Sequence, residues 1–112
     1  VSGAFHSPLM QSAKDTLLDV LVFTPFYDAR FPVYANVSAK PVIKKDEIKN
    51  LLHEQVTSPV RWEETIKNMI ADGFEEFYEI GPGKVLQGLV KRINPGVKLF
   101  GIDKNEDLEQ YI

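Results

Sequence analysis

The feature that most constrains the fold of this chain is an alternation of strand and helix patterns, which is clearest towards its C-terminus. A strand pattern from Phe74 to Ile80 runs into the turn Gly81-Pro82-Gly83, and an amphipathic helix pattern follows from Val85 to Ile93. Asn94-Pro95-Gly96 stops that helix, and Val97 to Ile102 is a further strand pattern. Two strands joined by a helix cross over and lie parallel, so the sequence predicts the α/β class, with parallel strands and crossover helices.

The same alternation occupies the rest of the chain. Helical spacing predicts helices from Leu9 to Leu21, from Asp46 to Val56 and from Trp62 to Ile70, with a short one from Asn105 to Tyr111. A β-rich segment from Phe31 to Val37 predicts a strand between the first two helices.

Individual residues indicate where these helices end and which side they expose. Ser7 is the expected N-cap and Pro8 the first residue of the first helix, and Asp46 is the expected N-cap of the second. Gly73 can supply a left-handed cap to the third. Lys14, Asp15 and Asp19 fall away from the apolar side of the first helix, on the side that is expected to face solvent.

Composition excludes several classes of protein. The chain has 112 residues, of which 44% are hydrophobic and 26% charged, as suits one globular domain. Its apolar runs are shorter than the roughly eighteen residues of a membrane span. A formal net charge of -3 argues against nucleic-acid binding, and the absence of cysteine removes disulfides and thiolate metal sites. Val1 to Phe5 has the pattern of a strand exit, so we expect a piece of a longer cytosolic polypeptide.

Two polar residues are candidates for a site. His6 lies beside a helix start, where a neutral imidazole can accept a proton, although a histidine that only packs or caps the helix has the same pattern. Asn36 lies near another strand exit, and the two are plausible neighbours because sites gather at the carboxyl ends of parallel strands.

The second predicted helix carries a further candidate. Gln55 falls on its apolar side, which fits either a satisfied core glutamine or a hydrogen-bond acceptor offered by its backbone or side chain. His53 points away from that side, so we expect it to be exposed and inert.

The turn Gly81-Pro82-Gly83-Lys84 has two interpretations. A glycine-rich turn before a helix can cradle phosphate, which would make the chain a nucleotide-binding α/β domain. A P-loop needs Ser or Thr after the lysine, whereas Val85 follows Lys84. A tight structural turn is therefore the favoured interpretation.

Four blocks of sequence together resemble the C-terminal part of malonyl-CoA:acyl carrier protein transacylases. They are Gly3-Ala4-Phe5-His6-Ser7-Pro8-Leu9-Met10, Pro32-Val33-Tyr34-Ala35-Asn36, Gln55-Val56-Thr57-Ser58-Pro59-Val60-Arg61-Trp62 and Tyr78-Glu79-Ile80-Gly81-Pro82-Gly83-Lys84-Val85-Leu86. Acyltransferase domains of polyketide and fatty-acid synthases are similar and stay open as alternatives.

The resemblance implies a C-terminal piece of an α/β-hydrolase-like acyltransferase core, with residues 1–112 as one incomplete part of the catalytic domain. The family moves a malonyl group from malonyl-CoA to the phosphopantetheine thiol of acyl carrier protein in fatty-acid biosynthesis, through a serine and a histidine. The resemblance assigns the histidine, as general base and acid, to His6. It gives Gln55 the main-chain carbonyl that orients His6, and Phe5 a position that favours malonyl over methylmalonyl. It implies no cofactor and no metal, since malonyl-CoA and acyl carrier protein are substrates.

The sequence departs from the family pattern by lacking a G-x-S-x-G nucleophile turn. We therefore expect the isolated chain to be inactive, and to be stable only with the remainder of the same enzyme or by self-association. An alternative is a noncatalytic module that docks acidic carrier protein through Lys40, Lys44 or Lys91.

Overall fold

A computed structural model describes residues 4–111, and the chain divides into two compact units at the Thr65–Ile66 boundary. We call them the N-terminal unit and the C-terminal unit. The helices are α1 (Gln11–Phe23), α2 (Lys45–Gln55), α3 (Trp62–Ala71) and α4 (Val85–Ile93), with 3₁₀ helices at Pro8–Met10 and Asn105–Gln110. The strands are β1 (Val33–Tyr34), β2 (Pro41–Val42), β3 (Glu76–Ile80) and β4 (Lys98–Ile102). Within residues 4–111, none of the helices is long and apolar enough to cross a membrane.

The C-terminal unit contains the predicted crossover. Strands β3 and β4 pair in parallel, in a register that runs from Glu76 opposite Lys98 to Ile80 opposite Ile102, and α4 connects them. Parallel strands require such a connection, because the chain must return to the same end of the sheet. The α/β class predicted from the sequence is confirmed.

Gly73 ends α3 as predicted, and it also explains why β3 starts later than the sequence indicates. Its φ is 105°, and its amide donates to the Ile70 carbonyl while the Phe74 amide donates to the Met69 carbonyl. These two bonds form a Schellman cap. Phe74 therefore belongs to the helix cap, and the strand begins at Glu76.

The N-terminal unit contains a small hairpin where a single longer strand was predicted. Strands β1 and β2 are antiparallel, with Val33 opposite Val42 and Tyr34 opposite Pro41. The chain turns directly after Tyr34, because buried Ala39 has a φ of 58° and its amide donates to the Ala35 carbonyl at 2.8 Å. The predicted strand from Phe31 to Val37 is thus shortened to two residues.

The helix starts are partly as expected. Ser7 is the N-cap residue and Pro8 begins the 3₁₀ helix that leads into α1, but the Ser7 hydroxyl donates to the Ala4 carbonyl and caps no helix amide. The strand exit predicted for Val1 to Phe5 lies mostly outside the described residues. Of that segment, Ala4 and Phe5 are described, and neither belongs to a strand.

The N-cap predicted for α2 was wrong. Asp46 lies inside the first turn, and the helix begins one residue before it. Asp28, far away in sequence, accepts a 2.8 Å hydrogen bond from the Lys45 amide. That bond holds the pKa of Asp28 below its usual value. A tertiary contact therefore replaces the local cap, and no local pattern could reveal it.

Candidate active site

His6 has an unusual backbone conformation. Its φ of 58° places it in the left-handed region, which residues other than glycine rarely adopt. The side chain is half-buried, and the helical segment that begins at Pro8 follows directly. Such a conformation persists only where surrounding contacts hold it, and it occurs often at functional sites.

The His6 ring is held by a hydrogen bond to the backbone. Its Nδ1 atom lies 2.9 Å from the main-chain carbonyl oxygen of Gln55. A carbonyl oxygen only accepts, so Nδ1 carries the proton and donates. In the neutral ring Nε2 therefore has a free lone pair, which is the condition for accepting a proton from another group.

The end of α2 makes the Gln55 carbonyl available. Gln55 is the last residue of that helix, and the final carbonyls of an α-helix have no partner within the helix. The same carbonyl also accepts a longer bond of 3.4 Å from the Ser58 amide. The sequence left open whether Gln55 is a satisfied core glutamine or offers an acceptor from its backbone or side chain. In the structure its main-chain carbonyl is the acceptor for His6.

Asn36 and Gln55 line a common cavity of about 140 Å³ in the N-terminal unit. The remaining lining is almost entirely apolar and comes from β1, β2 and α2: Val33, Tyr34, Ala35, Val42, Ile48, Leu51 and Leu52. Gln55 lines this cavity together with Asn36, and its carbonyl accepts from His6, whereas His6 is not among the residues that line the cavity. That Asn36 and His6 are neighbours stays a prediction.

Phe5 precedes His6 in the chain and is 57% exposed. Its ring is therefore largely accessible from solvent. Its part in substrate choice stays a prediction.

The expectation that His53 is solvent-exposed was wrong. It is half-buried, and its Nε2 atom is buried without a hydrogen-bond partner among the described residues. The error arises because the helical pattern was assigned one apolar side, whereas α2 both packs against α1 and lines the cavity.

Arg61 has a structural role that was not predicted from the sequence. Its guanidinium forms a bidentate salt bridge with the Glu64 carboxylate, and Nη1 donates to the Val37 carbonyl at 3.1 Å. Its amide also donates to the Asn36 carbonyl at 3.2 Å. Arg61 therefore fastens the segment after β1 to the start of α3. The Arg-x-x-Glu spacing was the available signal, since residues three apart are neighbours on a helix.

The turn before α4 is already occupied by carboxylates. Glu79 accepts from the amides of Leu86 and Gln87, each at 3.2 Å, and Asp103 accepts from the Gly83 amide at 3.4 Å. These amides are the donors that a phosphate would need. Gly83 also has a φ of 81°, which a tight turn explains fully. The structure thus supports the structural turn and not a nucleotide site.

Replacing Glu79 with alanine is expected to lower the free energy of unfolding by about 1 kcal/mol, because two amides at the start of α4 lose their acceptor. Urea denaturation of the wild-type protein and the variant measures the difference. Glu75→Ala is the matched control, since that side chain is exposed and close in sequence. Equal losses in both variants would contradict a capping role.

No group of three His, Asp or Glu side chains within the described part of the chain is arranged to hold a metal ion.

Comparison with known proteins identifies the relatives of this chain, although no family model matches it. A malonyl CoA-acyl carrier protein transacylase of Bacillus subtilis is 49% identical over 109 residues, which are 97% of this chain and 34% of the relative. The crystal structure of the malonyl-CoA:ACP transacylase of Synechocystis has a TM-score of 0.93 at 41% identity, over 98% of this chain and 38% of that one. The chain matches the C-terminal portion of the malonyl-CoA:acyl carrier protein transacylase family. The resemblance drawn from the four sequence blocks is thereby confirmed.

A further transacylase structure includes a second protein. It is a malonyl-transacylase in complex with a type II PKS acyl-carrier protein, with a TM-score of 0.91 and 36% identity over 98% of this chain. The present chain spans about a third of the length of the transacylases that it matches.

Proposed function

We propose that the whole protein carrying this sequence transfers a malonyl group from malonyl-CoA to the phosphopantetheine thiol of acyl carrier protein in fatty-acid biosynthesis. The activity named for its relatives supports the substrates, and the transacylase structure with a bound carrier protein supports the partner. We expect the reaction to take place in the cytoplasm and to need no cofactor besides its two substrates.

The hydrogen bond between His6 and the Gln55 carbonyl is the observation that carries this proposal. In the neutral ring it places the proton on Nδ1, so the lone pair of Nε2 can act as a general base. Nε2 would take the proton of a serine hydroxyl, outside this chain, as the serine oxygen attacks the thioester carbon. The C–O bond forms, the C–S bond breaks, and the imidazolium gives its proton to the departing coenzyme A thiolate. The carrier-protein thiol reverses these steps on the malonyl ester.

Gln55 contributes through its position at the end of α2. The negative end of the carbonyl dipole faces Nδ1–H, and the C-terminal end of a helix carries a partial negative charge. Both stabilise the imidazolium that forms during each attack. The bond also fixes the ring orientation, so the reactive nitrogen is in place before the substrate arrives.

Phe5 is proposed to limit the acyl group to malonyl, because a bulky ring beside His6 leaves little room for an additional methyl group. The Phe5→Ala variant is expected to raise the methylmalonyl to malonyl ratio of kcat/KM by about 10-fold, within the range of one methyl group in a pocket. Parallel assays with both acyl-CoA thioesters measure this ratio. An unchanged ratio would show that Phe5 does not face the acyl group.

Intact mass spectrometry of the whole protein tests the proposed function. After incubation with malonyl-CoA and holo acyl carrier protein, the carrier protein is expected to gain one malonyl group, and the transacylase is expected to carry a transient one. A folded protein that binds carrier protein but transfers nothing would favour the noncatalytic module, with docking through Lys40, Lys44 or Lys91. Native mass measurement of the isolated chain tests whether it needs the remainder of the protein or a second copy.

A further inference from the structure

One ion pair in the N-terminal unit differs from what the sequence predicts. Lys14 Nζ lies 3.1 Å from Glu54 Oε1, and the Lys14 side chain is only 13% exposed, whereas Glu54 is 52% exposed. The expectation that Lys14 faces solvent was therefore wrong. By contrast, the pair between Lys44 and Asp28 spans 3.6 Å and is exposed on both sides.

We infer that the Lys14–Glu54 ion pair is a positioning device that holds His6 against the Gln55 carbonyl. The inference rests on the proposed function for its catalytic consequence, while its structural basis is independent of that function. Lys14 and Glu54 do not touch the reacting atoms. They act through the placement of the His6 ring.

The ion pair joins the same two segments as the hydrogen bond of His6. Lys14 is in α1, which follows His6 after a single turn of 3₁₀ helix. Glu54 immediately precedes Gln55 in the last turn of α2. Both contacts therefore connect the same two parts of the chain: the segment from His6 through α1, and the C-terminal end of α2. A shift of α1 along α2 would break both.

Burial explains why this pair can hold a geometry that a surface pair could not. The ammonium of a largely buried lysine needs a partner, because leaving it unpaired and partly desolvated is unfavourable. Glu54 also lies at the negative end of the α2 dipole, so a nearby cation stabilises the carboxylate there. Each charge therefore needs the other in this position.

The conformation of His6 makes such support necessary. Its backbone has a positive φ, which is unfavourable for a non-glycine residue unless neighbouring contacts hold it. One hydrogen bond from Nδ1 is a modest restraint. The ion pair supplies a second restraint between the same segments.

The experiment uses the whole protein with Lys14→Met, which keeps the length of the side chain and removes its charge. The kcat for malonyl transfer is expected to fall about 10-fold with little change in KM, as misplacement of a base predicts. The NMR signal of the His6 Nδ1 proton is expected to exchange faster with water. Glu54→Gln, which is nearly isosteric, should reproduce both effects if Lys14→Met does not fold.

Controls separate positioning from general stability. Lys45→Met removes an exposed charge from the first turn of the same helix, α2, and should leave kcat and the Nδ1 signal unchanged. The charge-swapped double variant, Lys14→Glu with Glu54→Lys, should restore kcat to within about 3-fold of wild type, because coupled pairs are not additive. A loss without rescue, or an unchanged Nδ1 signal in Lys14→Met, would overturn the inference.

The NMR measurement distinguishes failure of the proposed malonyl transfer from failure of the proposed positioning role of Lys14 and Glu54. A protein that transfers no malonyl but whose Nδ1 signal responds to Lys14→Met would refute the proposed function and support the positioning pair. An active protein whose Nδ1 signal ignores Lys14 would do the reverse.

Discussion

Replacing His6 with asparagine is expected to lower kcat/KM for malonyl transfer by about 10²- to 10⁴-fold, the usual contribution of a positioned general base. Asparagine can neither accept the proton from serine at neutral pH nor form an imidazolium. It nevertheless tolerates the left-handed backbone conformation found at this position better than most residues. The variant should therefore stay folded, so that the loss reports chemistry.

The measurement is a steady-state assay of malonyl transfer, combined with thermal unfolding of each variant. Gln55→Ala is the matched control, because it removes the side chain and keeps the main-chain carbonyl that accepts from His6. That control should retain kcat/KM to within a few-fold. If His6→Asn kept more than about a tenth of wild-type activity, the loss would be too small for a general base, and the role proposed for His6 would be contradicted.

Replacing Ile66 with alanine is expected to lower the free energy of unfolding by about 2 to 5 kcal/mol, as measured for large-to-small substitutions in cores. Ile66 is only 2% exposed and is the largest fully buried side chain among the described residues. Its truncation removes apolar contacts and leaves a cavity in a chain whose buried core is small.

Chemical denaturation followed by tryptophan fluorescence measures this change. Ile80→Ala is the matched control, because the same side chain is 78% exposed there and its loss should change stability by less than about 0.5 kcal/mol. A similar loss at both positions would mean that a partner surface covers Ile80. A loss below 1 kcal/mol at Ile66 would contradict its place in the core.

The parts of the fold that depend on local pattern could be predicted from the sequence. Apolar spacing located the four α-helices that lie within the described residues, and the β3–α4–β4 crossover followed from two turn signals. Gly73 was predicted as a cap because its conformational freedom is a local property. The hairpin and the cap from Asp28 could not be predicted, because each depends on residues brought together by tertiary folding.

The candidate site divides in the same way. Gln55 was predicted because it is a polar residue on the apolar side of a helix, and His6 was assigned from the four sequence blocks. In the structure a hydrogen bond joins the two residues. The ion pair of Lys14 was not predicted, because a lysine on the polar side of a helix has the pattern of a solvated surface residue. Its partner Glu54 is on another helix, and a helical pattern considers one helix at a time.

The hydrogen-bond partner of His6 is a main-chain carbonyl, so this site should tolerate substitutions at position 55 better than insertions or deletions near it. Substitution at position 55 leaves the acceptor in place, so alanine scanning would score that position as neutral. A one-residue insertion or deletion just upstream would rotate a different carbonyl towards the imidazole. Screens that vary the length of α2 are therefore the ones that can expose this dependence.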